Sequence, residues 1–80
     1  MDNSESRLTQ CFAVLFPAMD DHAIHQATRS TVPGWDSIAT VTLVSVVEEE
    51  FGIQIAVEDV EHLLSFNEFL DYLRNRVQIP

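Results

Sequence analysis

Lysine is absent from these 80 residues, and the four basic side chains are all arginines, set against 13 aspartates and glutamates. The resulting formal net charge of -9 argues against nucleic acid as a partner, because phosphate backbones are gripped by clustered Lys and Arg. Cysteine is nearly absent too. Cys11 stands alone, so no disulfide forms within the chain, and its place in the apolar run CFAVLF reads as a small core hydrophobe in a reducing compartment. With only two glycines and three prolines, the composition is not that of a low-complexity or collagen-like chain. No apolar run has the length of a membrane span, and the polar start MDNSESR is unlike a signal peptide. A cytoplasmic monomer with no membrane partner is the expectation.

What is present suffices for one folded domain. Hydrophobic residues make up 46% of the chain, enough to build a core without staples. A single domain over residues 1–80, with its core within about 8–77, is expected. A chain this short leaves little interior for a deep catalytic pocket, so no enzyme is expected. The acids gather in the second half, where Asp36, Glu48, Glu49, Glu50, Glu58, Asp59, Glu61, Glu68 and Asp71 face only Arg74 and Arg76. Such a field draws in a partner with a basic face, although a plain solvated surface also accounts for it.

The apolar pattern is helical. Leu8, Phe12, Leu15 and Phe16 recur at three- and four-residue spacing, which predicts an amphipathic helix from about Ser6 to Phe16, ended by Pro17. The segment AMDDHAIHQATRSTVPGW has little periodicity and reads as a long loop with Ile24 tucked inward. A second helix is predicted over about 37–51, with Asp36 as its cap, Leu43, Val44, Val47 and Phe51 on its buried face, and Gly52 stopping it. IQIA is too short and too isolated for a strand, and reads as an extended connection burying Ile53 or Ile55. VEDVEHLL supports one or two helical turns with Val60 and Leu63 inward. A last helix follows, with Ser65 and Glu68 spaced as a capping box and Phe66, Phe69, Leu70, Leu73 and Val77 as its buried stripe. The fold class is all-α: a small bundle of three main helices plus a short one, with a long loop between the first and second.

Ser37 opens the second helix, where free backbone N–H groups and the positive end of the helix dipole favour an anion such as a phosphate ester. Ser37 or Asp36 acting simply as the helix cap is the competing reading. As a nucleophile the serine lacks a base: His22, His25 and His62 stand in no recognisable nucleophile motif. In DDHAIH, the residues Asp20, Asp21, His22 and His25 match no tetrahedral zinc spacing, so a solvated loop is expected there and no metal.

The stretch GWDSIATVTLVSVVEEEFGIQI, an Asp-Ser-apolar motif opening a helix and followed by an apolar row, three glutamates, Phe and Gly, resembles the phosphopantetheine attachment region of acyl carrier proteins. The resemblance continues through EDVEHLLSFNEFLDYL and covers about Leu8 to Val77. It implies a carrier on whose Ser37 a phosphopantetheinyl transferase places phosphopantetheine from coenzyme A, the arm's thiol then holding an acyl group as a thioester. Asp36 matches the motif aspartate, as cap and partner contact. Ile38 and Val41 are implied as an apolar contact for the transferase and other partners. Glu48 and Glu49, with Glu50, are implied to meet basic docking faces on acyl ligases, synthases or acyltransferases. Ala39 and Thr42 stand where fatty acid synthesis carriers bear acids, Ser45 replaces a larger apolar residue, and Trp35 is more at home in dedicated carriers, which together point to a specialised biosynthetic pathway. An aminoacyl or peptidyl carrier and an unmodified helical adaptor are the alternatives.

Overall fold

Proline cannot continue a helix and restricts the residue before it. Correspondingly, α1 (Ser4–Leu15) closes just ahead of Pro17, with the Phe16 N–H donating to the Phe12 carbonyl at 2.8 Å. A computed structural model describes the backbone of residues 3–77 and the side chains of residues 3–75. Along it follow α2 (Asp21–His25), α3 (Ser37–Phe51), α4 (Val57–Val60) and α5 (Phe66–Val77), with no strand among the described residues. No described helix is long and apolar enough to cross a membrane.

The core forms around α1, which packs against α2, α3 and α5. Phe12 is fully buried at its centre. Its ring meets those of Trp35, Phe66 and Phe69 edge-on, with centroids 5.4, 5.3 and 5.7 Å away, the arrangement that aromatic quadrupoles favour. The predicted stripes are the buried ones: Leu8, Cys11 and Phe12 from α1, Leu43, Val44, Val47 and Phe51 from α3, and Phe66, Phe69, Leu70 and Leu73 from α5. Leu15 and Phe16 pack at its edge. Val77, expected in the α5 stripe, lies outside the described side chains. Burial pushes the Cys11 thiol up to about 11, with the Glu50 carboxylate adding to the effect and Arg7 opposing it.

The segment expected to be a long loop contains a helix. In α2 the Asp20 carboxylate accepts the Ala23 N–H at 2.8 Å, and Ile24 is fully buried. Five residues present only one inward side chain, too few for a period to appear in the sequence. The inward anchoring of Ile24 is as expected. At the other expected boundaries the local chemistry agrees. Gly52 takes the left-handed conformation (φ 66°) that ends α3. Ser65 Oγ accepts the Glu68 N–H at 3.1 Å, while Glu68 reaches back to the Leu64 N–H at 3.1 Å, one residue earlier than in a standard capping box.

Two features fix where α3 begins. The Trp35 N–H donates to the Val32 carbonyl across Pro33 and Gly34, with Gly34 at φ 88°, a Pro-Gly turn of the type II pattern. Just upstream, the Arg29 N–H donates to the Leu64 carbonyl at 2.8 Å and the Phe66 N–H to the Ala27 carbonyl at 3.0 Å, an antiparallel bridge joining Thr28 to Ser65. The connection between α2 and α3 is therefore tied to the start of α5.

Candidate functional site

The first turn of α3 resolves which residue is the cap. Asp36 has extended backbone, and its carboxylate accepts the Ala39 N–H at 2.8 Å, as an N-cap aspartate does. Ser37 is the first residue inside the helix. Its side chain is exposed and has no hydrogen-bond partner among the described residues. A helix start thus carries a hydroxyl that capping does not use, at an end where backbone N–H groups and the dipole favour negative charge.

Trp35 supports this corner from beneath. It is buried, tilted against Phe16 at 6.2 Å, and its indole N–H donates to Thr40 Oγ1 at 2.8 Å. Thr40 in turn donates to the Asp36 carbonyl at 3.0 Å. A buried Trp needs a partner for its N–H, and the chain Trp35–Thr40–Asp36 supplies one while holding the cap residue's backbone in place. Thr40 drew no attention in the sequence. The signal was there, a threonine four positions after the cap, able to return a bond to the i-4 carbonyl.

Ser37 lies at the edge of a cleft of about 470 Å³ between α3 and α4. Its apolar wall is formed by Val41, Val44, Ile55, Val57 and Val60. Arg29 and Glu61 are polar residues on its lining. Ile38 and Val41 are 77% and 61% exposed and Val57 is 84% exposed, so most of their apolar surface is left open by the described residues. Val41 is therefore not part of the core.

The three glutamates of α3 differ from one another. Glu48 is half-buried and its carboxylate accepts the Ile55 N–H at 2.7 Å, fixing the connection into α4. Glu50 is paired with Arg7 at 2.9 Å, and the same guanidinium lies 4.5 Å above the Phe51 ring. Glu49 is exposed and has no partner among the described residues. Of the three glutamates implied to meet basic faces, Glu49 is unbonded among the described residues, Glu48 also has a bond within the chain, and Glu50 is paired with Arg7.

The other candidates are dispersed. Asp20 caps α2, His25 Nε2 and Thr9 Oγ1 are hydrogen-bonded at 2.9 Å, and His22 and His62 are exposed. Among the described residues no three His, Cys, Asp or Glu side chains are grouped to hold a metal ion. Ser37 has no histidine on its cleft. What the corner offers is an accessible hydroxyl on a rigid mount beside an apolar cleft, a fit for covalent attachment of a phosphate-linked group. Residues 34–73 match the sequence profile of the family described as "Phosphopantetheine attachment site".

Proposed function

Because the chain belongs to the phosphopantetheine attachment family, whose domains bind that prosthetic group covalently, we propose that Ser37 is the attachment residue and that the protein is an acyl carrier of a specialised biosynthetic pathway. One observation carries the reading. Asp36 caps α3, which leaves the Ser37 hydroxyl exposed and unbonded at the helix start. Once attached, the arm supplies a terminal thiol on which the cargo is held as a thioester.

The chain's own residues do the positioning. Ser37 Oγ would lose its proton and bond to the pantetheine-bearing phosphorus as a transferase breaks the pyrophosphate of coenzyme A and adenosine 3′,5′-bisphosphate leaves, at a helix end whose N–H groups favour the phosphodiester's charge. Asp36 holds that helix end in shape. Ile38 and Val41 present an apolar contact to the transferase and to the loading and receiving enzymes, and Glu49 meets basic side chains on them. Glu48 contributes to the same acidic face through its exposed part. The apolar wall of the cleft favours an acyl cargo over a charged aminoacyl one. In this reading residues 1–80 act as one monomeric, non-catalytic, cytoplasmic carrier domain, and bond making and breaking belong to the enzymes that dock on it.

The test is the intact mass before and after incubation with coenzyme A, magnesium and a broad-specificity transferase. The parent gains one phosphopantetheine and Ser37→Ala gains none. No gain with two different transferases would leave an unmodified adaptor as the better reading. Transfer of cargo by fatty acid synthesis enzymes as efficient as with a housekeeping carrier would overturn the specialised role.

A further inference from the structure

Four arginines serve a chain of net charge -9, and most of those described are engaged. Arg7 is held by Glu50 and Phe51 at the far end of α3, and Arg74 has a partner within the chain. Among the described side chains, Arg29 is the arginine with no partner. Its backbone is fixed, because its N–H is bonded to the Leu64 carbonyl in the bridge that ties the α2–α3 connection to α5. Arg29 lines the cleft that Ser37 also lines, and it borders a second cleft with Trp35 and Asp36. An uncommitted guanidinium thus stands on a fixed stem beside the Asp36–Ser37 corner.

The carboxylates nearby do not neutralise it. Asp36 is occupied with the Ala39 N–H, Glu48 with the Ile55 N–H, and Glu61, on the same cleft, makes no ion pair with it. A guanidinium left free beside a helix N-terminus is suited to a phosphate oxygen, since its planar fork forms charge-assisted, bidentate bonds with such groups. Resting on the reading of Ser37 as the attachment residue, we propose that Arg29 is a positioning residue for the phosphodiester on Ser37, and that by holding it Arg29 directs the pantetheine arm along the cleft between α3 and α4 instead of out into solvent. Neither the attachment itself nor the cap requires this residue. Its role is to set where the arm lies between encounters with partner enzymes.

The experiment uses the whole protein converted to its phosphopantetheinylated form, with Arg29→Gln and Arg29→Lys beside the parent. Intact mass establishes attachment, and NMR then reads the Arg29 Nε–H shift and the NOEs from the arm's amides to the methyl groups of Val41, Val57 and Val60. In the parent, attachment moves the Nε–H resonance and the arm shows NOEs to the cleft. In Arg29→Gln the mass gain is unchanged but those NOEs are lost, and Arg29→Lys restores part of them because it keeps the charge without the fork. A parent that gains mass yet shows no cleft NOEs, or an Arg29→Gln protein that shows them undiminished, overturns the proposal while leaving Ser37 as the attachment residue. A parent that gains no mass overturns both. Melting curves of the unmodified proteins confirm that the substitutions leave the fold intact, as expected for an exposed side chain without contacts.

Discussion

At the C-terminal end of α3 most polar groups are held by the molecule itself: Glu48 by the Ile55 N–H, Glu50 by Arg7, and the Glu48 carbonyl by the turn at Gly52, with Glu49 left to solvent. At the N-terminal end Ser37, Ile38 and Val41 are exposed, left largely uncovered by the described residues. One helix thus has an anchored end and an offered end. Bonds at the first, and the Trp35–Thr40–Asp36 chain beneath the second, fix the helix, so the offered end presents an unbonded hydroxyl and apolar side chains in a constant orientation. A surface that many partners read in turn needs both properties, and the molecule divides them along one element.

That contrast is breakable from the anchored side. Phe51→Ala removes a buried ring that also underlies Arg7, and should lower the unfolding free energy in urea by about 3 kcal/mol or more, whereas Ile38→Ala at the other end should change it hardly at all. Cys11 sharpens the comparison because its thiol feels the anchored end, through Glu50 and Arg7. An unfolded thiol near the ordinary value of 9.0 gives up its proton before the folded one at about 11. The folded state therefore holds its proton-linked stability below pH 9.0 and loses it as pH rises through about 11. Alkaline denaturation should show this slope in the parent and not in Cys11→Ala.

Smaller effects test the offered end. Asp36→Ala deletes the cap and should cost about 1 kcal/mol. Asp36→Asn keeps an acceptor for the Ala39 N–H, so it should retain most of that stability, and slower modification of this variant by the transferase would isolate the contribution of the charge to recognition. Back at the anchored end, Arg7→Gln should cost less than loss of the cap. Its ion pair is 40% and 42% exposed on the two sides, so solvent screening keeps the loss below about 1 kcal/mol in thermal unfolding.

Much of this was legible in the sequence where chemistry is local. The stripe of α5, the stop at Gly52, the cap at Asp36 and the Ser65–Glu68 pair each involve residues within a turn or so of one another, and spacing alone displays them. The helix α2 escaped because its reason for existing is the burial of Ile24 against distant elements, a tertiary effect that a five-residue window does not carry. The three glutamates looked equivalent as a run. Only packing separates them, by bringing Arg7 to one and the backbone of Ile55 to another. The Asp36 cap and the exposed Ser37 hydroxyl were readable because both belong to the helix start itself, while Thr40, Arg29 and the wall of the cleft are assembled from segments separated in sequence.

Trp35 is the chain's only tryptophan, and it is buried two residues before Ser37 with its indole nitrogen tied to Thr40. The protein consequently carries an optical sensor of its own beside the residue proposed to be modified. Excited at the red edge of the protein's absorption, the folded chain should emit at the short wavelengths of a shielded indole, and any event that tugs on the first turn of α3 should alter that emission without a label. Modification, cargo loading and the seating of a partner become steps that can be followed in real time in a cuvette.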